Sequence, residues 1–365
     1  MRTVELFAGI GGFRMAAESN GLDTVWANDI NKNAVKVYQD NYGVDSIIEG
    51  DINNLIEKIP EHDILTGGFP CQPFSKAGKK LGIDDYRGTL FETIVKVLSI
   101  YRPSHFILEN VNSLLFINNG EDFKIILKAL LSQGYKIEWK VFNACDFGLP
   151  QNRARVIIVG SKNIAFNESY FFNNEIIENQ DLISHSLKWI YIDDYSKRFH
   201  TWGMAYNNKV VTCDIKSKIV YPKKKLKDII CSETDDMFDY TNDTINRIKN
   251  SEYVNKFYNG VQILYNQKGG ARMGYSIFGI EGLAPTLTAS SSRHYERYKI
   301  GERFRRLTNI EYARIQGFPD NYSKAVSINN QYKLYGNAVP PQMISYVLKK
   351  VIKQEVHSVN NINYH

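Results

Sequence analysis

The first 160 residues alternate short apolar runs with stretches of helical spacing, and this alternation leaves few folds open. Arg2 to Phe7 reads as a strand, a glycine turn follows, and Phe13 to Asn20 begins a helix. Thr24 to Ala27, His62 to Thr66, Phe106 to Leu108 and Val156 to Val159 are further apolar runs. Between them, Asn33 to Tyr42, Leu90 to Tyr101 and Phe123 to Leu131 have helical spacing. Parallel strands need crossover helices, and the spacing supplies them, so the pattern predicts an α/β fold with a doubly wound, mainly parallel sheet. Ligands of such sheets bind outside the carboxyl ends of the strands.

A chain of 365 residues with 43% hydrophobic content suggests two domains, or one large domain with an insertion. The periodicity dissolves after about Lys162 into Asn, Tyr, Phe, Lys and Ser, and Met343 to Val351 again reads as an amphipathic helix able to dock onto the first domain. No run approaches the ~18 apolar residues of a membrane span, and the amino terminus does not read as a secretory signal, so a cytoplasmic protein is expected. Cys71, Cys145, Cys213 and Cys231 lie far apart without metal spacing, so neither a disulfide framework nor a metal site is expected. The net charge of +6 is unevenly spread. From Lys268 to Arg306 there are eight basic and three acidic residues, interleaved with aromatic and small polar ones, which suits a polyanion. A solvated face is the alternative. The cluster Lys223-Lys224-Lys225-Leu226-Lys227 is followed by acids and reads as surface or linker.

The first glycine turn, Phe7-Ala8-Gly9-Ile10-Gly11-Gly12-Phe13, comes straight after a strand and opens a helix, which lets backbone approach a ligand closely. Asp29 follows at the end of the second strand, the usual place for a carboxylate on ribose hydroxyls. Arg14 stands where a dinucleotide motif has its third glycine, which favours a smaller adenosine ligand. Asp51 is a candidate acceptor for the adenine amino group. Either acid by itself also suits a turn or cap. Cys71 sits between Pro70 and Gln72-Pro73, so the backbone around the thiol is stiff, and it lies past a strand's carboxyl end. Glu109 ends another strand on the same edge. Arg153 and Arg155, in Gln151-Asn152-Arg153-Ala154-Arg155, stand two apart on one face ahead of a strand, suited to phosphates or base carbonyls.

Together these segments resemble the cytosine C5 DNA methyltransferase family of bacterial restriction-modification systems. The likeness runs through Glu5 to Phe13, Gly67 to Ser75, Glu109-Asn110-Val111, Gln151 to Arg155, Arg306-Leu307-Thr308 through Gln316 to Asp320, and Tyr335 to Pro340, in the family's order. Pro285-Thr286-Leu287-Thr288 is similar to the Thr-Leu pair of its target-recognition region. The resemblance implies a Rossmann-like, S-adenosylmethionine-dependent catalytic domain at 1–165 plus 328–357, with a smaller, irregular DNA-binding domain at 166–327. It implies a cofactor pocket of Phe7, Gly9, Gly11, Asp29, Ile30, Asp51, Ile52, Pro70, Leu90, Asn337 and Val339. Asp29 and Ile30 depart from the family's common glutamate and aromatic residue.

The resemblance also implies the roles at the reacting base. Cys71 adds to C6 of a flipped-out cytosine, and Glu109 hydrogen-bonds N3 and the amino group. Arg153 contacts the base carbonyl with Arg155 in support. Ser75 and Lys79 lie in a glycine- and lysine-containing loop expected to close as a mobile lid over the phosphates. Arg272, Thr286, Arg293, Arg297 and Arg305 are the remaining expected contacts to double-stranded DNA, with His294 and Tyr295 beside them. A monomer without metal is expected, associated with the nucleoid when on DNA. An RNA methyltransferase of the same superfamily is an alternative, although its Cys-Phe-Thr element is absent here. A non-catalytic DNA-binding relative is another, against which Cys71, Glu109, Arg153 and Arg155 all stand.

Overall fold

A computed structural model describes residues 1–70, 90–162, 169–171, 188–215, 221–266, 276–289 and 296–362. The chain divides into two compact units, one of residues 1–142, 154–219 and 342–365, the other of residues 143–153 and 220–341.

The first unit begins as the sequence predicts: β1 (Arg2–Leu6), α1 (Gly12–Glu18), β2 (Asp23–Asp29), α2 (Lys32–Tyr42), β3 (Ile48–Glu49), β4 (Ile64–Gly68), α3 (Leu90–Tyr101), β5 (His105–Val111) and α4 (Glu121–Leu131). It continues with β6 (Lys136–Asn143), β7 (Ala154–Ser161), β8 (Ile190–Tyr191), β9 (Trp202–Tyr206) and β10 (Lys209–Cys213). These make a ten-stranded sheet of order β3-β2-β1-β4-β5-β7-β6-β9-β10-β8. From β3 to β5 every pairing is parallel, and β7 joins β5 antiparallel. One face of the parallel strands packs against α3: Val4, Leu6, Leu65, Phe106 and Leu108 share a buried core with Phe91, Ile94, Val97 and Leu98 of that helix.

β6 escapes sequence reading because Lys136, Glu138 and Lys140 alternate with its apolar residues yet are all buried. Glu138 shows why this is tolerated: its carboxylate accepts from Trp202 Nε1 at 2.8 Å, Ser169 Oγ at 2.6 Å and the Tyr170 N–H at 2.7 Å. A buried carboxylate stays favourable only with such partners. The same bonds tie 169–171 and β9 to the large sheet, so the division of the chain differs from the one expected at 165: residues 188–215 extend the sheet of the first unit.

The second unit holds α5 (Asn242–Lys249) and a five-stranded sheet, β11 (Glu252–Tyr258), β12 (Val261–Asn266), β13 (Ser276–Phe278), β14 (Arg297–Ile300) and β15 (Arg303–Arg305), followed by α6 (Asn309–Gln316) and α7 (Ile328–Asn337). The expected boundary at 328 also moves, because α7 belongs here, and so does 143–153. Gln151 Nε2 donates to Gln316 Oε1 at 2.9 Å, and Gln316 Nε2 reaches the Tyr335 carbonyl. Gly336 lies so close to the next segment that a Cβ there would fall 2.4 Å from the Thr288 carbonyl carbon, so only glycine fits. The final helix, α8 (Pro341–Ile362), returns to the first unit, where Asn20 Nδ2 donates to Ser345 Oγ at 2.9 Å and the Phe142 and Tyr346 rings lie 6.0 Å apart.

Candidate active site

The chain moves outward from β1 through β2 to β3, then returns to place β4 on the other side of β1. In such sheets a ligand crevice lies at a reversal of this kind, which here falls at the carboxyl ends of β1 and β4. Both loops singled out in the sequence leave from these ends.

After β1 the backbone turns with Phe7 at φ 53°, Gly9 at 57° and Gly11 at 87°, and the Gly11 N–H donates to the Ala8 carbonyl at 3.0 Å. Phe7 is held in the left-handed region, a local strain of ~1–3 kcal/mol that surrounding bonds must sustain. A Cβ built on Gly9 would meet no atom within 4 Å, so the space above the turn is open for a ligand. Asp29 Oδ2 accepts the Gly9 N–H at 2.7 Å and Oδ1 accepts the Asn31 N–H at 2.7 Å, while burial pushes the carboxyl pKa up against these bonds. Asp51 is exposed and caps a 3-10 turn, its Oδ1 accepting the Asn53 N–H at 2.9 Å. Ile30 is 68% exposed, an apolar side chain placed in solvent beside Asp29, whereas Ile52 packs in the core. Beneath the turn, Glu5 is wholly buried with its Oε2 accepting the Tyr38 hydroxyl at 2.9 Å.

β4 and β5 end side by side, with Gly68 in register with Glu109. A Cβ on Gly68 would sit 3.2 Å from Glu109 Oε2, so glycine there gives the carboxylate its room. Glu109 Oε1 pairs with Arg155 Nε at 2.8 Å, both side chains being about nine-tenths buried (13% and 11% exposed). Burial pulls the Arg155 guanidinium below its ordinary pKa, and Glu109 opposes that pull. Asn110 Nδ2 donates to the Phe69 carbonyl at 2.9 Å, which ties the segment entering the Phe69-Pro70-Cys71 stretch to β5. Pro70 is exposed, and Leu90 opens α3 half-buried against the core. Cys71, three residues beyond Gly68, lies outside the described residues, as do Ser75 and Lys79 with their loop.

Two expected roles change. Arg153, expected on the base carbonyl, is 1% exposed and donates to the carbonyls of Leu287 at 2.9 Å, Gly336 at 2.9 Å and Ala338 at 3.0 Å. It fastens three segments of the second unit, and Arg155 is the arginine at Glu109. Arg305, expected on DNA, is 2% exposed and bound through two nitrogens to Glu311 at 2.8 and 2.7 Å. Glu311 also closes a capping box with Thr308, and a carboxylate so buried needs a cation. Arg303 pairs with Asp239 at 2.9 Å and Asp236 at 3.2 Å, so part of the local basic excess is neutralised by acids distant in sequence.

Thr286 Oγ1 donates to the Asn152 carbonyl at 2.6 Å, and the Leu287 N–H to Gln151 Oε1 at 3.0 Å, which joins the Thr-Leu pair to the Gln-Asn-Arg segment. Arg297 is half-buried on β14, while Asn337 is exposed and Val339 buried in the second unit. Arg272 and Arg293 lie outside the described residues. The sequence reading missed the supporting amides Asn28 and Asn110, whose only signal was a polar residue next to an acid at the end of an apolar run.

Among the described residues no helix is long and apolar enough to cross a membrane, and no group of three or more His, Cys, Asp or Glu could hold a metal ion. The fold is similar to the crystal structure of S. pombe Dnmt2 methyltransferase, with a TM-score of 0.66 and 19% identity over 98% of this chain and 99% of that one. In sequence, the chain is 33% identical to the Type II methyltransferase M1.ScrFI of Lactococcus lactis subsp. cremoris over 96% of this chain and 78% of that protein. It is 29% identical to the Type II methyltransferase M.HhaI of Haemophilus parahaemolyticus over 95% of this chain and 93% of that protein. Residues 1–353 match the model of the C-5 cytosine-specific DNA methylases, and the chain belongs to that family.

Proposed function

We propose that this cytosine C5 DNA methyltransferase draws its methyl group from S-adenosylmethionine and acts on a cytosine flipped out of a short, specific duplex site, with Cys71 as nucleophile. The observation that carries this reading is the Glu109–Arg155 pair at 2.8 Å, set beside Gly68, which stands three residues before Cys71 in the chain. The adenosine end of the donor suits the open glycine turn, where Asp29 can accept from ribose hydroxyls and Asp51 from the adenine amino group. When bound, the cofactor supplies an electrophilic methyl group on a sulfonium sulfur.

Cytosine C5 is a poor nucleophile until the ring loses its aromaticity. The Cys71 thiolate adds to C6 and gives C5 enamine character, while Glu109 hydrogen-bonds N3 and the amino group. Arg155 holds Glu109 in place and offers its remaining N–H groups to the base carbonyl. Once C5 carries the methyl group in place of its former double bond to C6, loss of the C5 proton to a base and elimination of the Cys71 thiolate restore the ring. A free thiol of pKa about 8.5 is only slightly ionised at neutral pH, so the loop and the bound base must favour the thiolate. C6 lies within the base stack, and flipping the nucleotide out costs a few kcal/mol, drawn from DNA contacts. The resemblance to Type II methyltransferases supports a place in a bacterial restriction-modification system, with the enzyme working as a monomer in the cytoplasm and on the nucleoid.

Incubating plasmid DNA with methyl-labelled S-adenosylmethionine tests this. Label should enter DNA with the wild-type protein and not with Cys71→Ala, and bisulfite sequencing should place it at one cytosine of a recurring site. Label in RNA but not in DNA would overturn the reading.

A further inference from the structure

Asn28 is 1% exposed at the end of β2, between the two loops that form the nucleoside side of the crevice. Its Nδ2 donates one hydrogen to the Ile48 carbonyl at 2.9 Å and the other to the Gly50 carbonyl at 3.0 Å. Its own carbonyl accepts the Ala8 N–H at 2.9 Å, from the glycine turn. The next residue, Asp29, binds the Gly9 N–H through Oδ2 and accepts the Gly50 N–H on its carbonyl at 3.1 Å. One residue thus couples the turn carrying Gly9 to the turn carrying Asp51. Two converging carbonyls require two N–H donors from one buried side chain, which a carboxamide provides and a carboxylate or hydroxyl does not. Gly50 has φ 151°, so the bond to its carbonyl also sets the direction in which the chain delivers Asp51.

We infer that Asn28 is a positioning residue that sets Asp51 relative to Asp29, so that an adenosine-bearing donor is read at its ribose and at its 6-amino group together. This rests on the donor reading proposed above. Asn28 touches no ligand atom; it acts through Asp51 and the turn preceding it.

Calorimetric binding of S-adenosylhomocysteine, and of the analogue with hydrogen in place of the 6-amino group, tests the inference on wild type, Asn28→Asp and Asn28→Ser, each checked for folding by thermal melting. Wild type should bind the full compound about tenfold more tightly than the analogue, the size of one hydrogen bond to a charged acceptor. The variants should bind the full compound about tenfold more weakly and discriminate less than about threefold. In methyl transfer, donor KM should rise with kcat little changed. If wild type binds neither compound, the donor reading itself falls. If wild type binds but folded variants keep the tenfold discrimination, or if both variants fail to fold, Asn28 is structural only and the inference is overturned.

Discussion

Arg153 and Arg155 stand two residues apart, and their chemistry diverges because their surroundings do. Arg153 spends its donors on three main-chain carbonyls of the second unit, whereas Arg155 leans on Glu109. Alternation along an extended segment puts both on one face in the sequence; only the packed neighbours separate the arginine that fastens the second unit from the one paired with Glu109. Arg153→Ala should therefore lower unfolding stability by about 3 kcal/mol or more, since three buried carbonyls lose a charged donor. Arg155→Lys should leave the urea midpoint nearly unchanged and reduce kcat by about a hundredfold, because an ammonium cannot hold Glu109 and a base carbonyl in one planar fork. Paired denaturation and single-turnover measurements would separate the two, and equal loss of kcat in both folded variants would contradict the assignment.

At the level of elements, the parallel strands and their helices were legible because their burial is nearly uniform: the centres of β1, β4 and β5 are buried throughout, and no other local structure suits such short runs between helical patterns. β6 was not legible, because its Lys136, Glu138 and Lys140 are buried against partners distant in the chain. β8, β9 and β10 are short and antiparallel and need no crossover helix, so their segment carries no repeating signal. Glu138 is the joint between these parts. Glu138→Ala removes the acceptor for Trp202, Ser169 and the Tyr170 N–H and should destabilise the protein by about 3 kcal/mol or more in urea unfolding. Donor KM at a permissive temperature should not move, since none of these residues faces the crevice at β1 and β4.

For the whole molecule, Glu5 links stability to pH. Burial raises its carboxyl from the ordinary 4.5 to about 8, with the Tyr38 hydroxyl and the Arg14 charge opposing the rise. Between these values the folded protein holds a proton that the unfolded chain has released, so this group's contribution to stability falls as pH rises through the window and levels off above it. Glu5→Gln keeps the shape and removes the titration. The urea midpoint of the variant relative to wild type should therefore climb from pH 5 to pH 8 and then flatten; a constant difference would show that Glu5 does not titrate there.

The sequence by itself determined the parallel half of the sheet, the crevice at its carboxyl edge and the family, because glycine turns, strand-end acids and apolar runs depend on neighbours a few positions away. Tertiary structure decided what no local pattern encodes. It buried Arg305 against Glu311, put Arg155 and not Arg153 on Glu109, gave 188–215 to the large sheet, and made Asn28 the bond between two turns. The physical reason is common to all four: a polar side chain's role is set by the partner that satisfies it once water is gone, and here those partners lie in other segments of the chain.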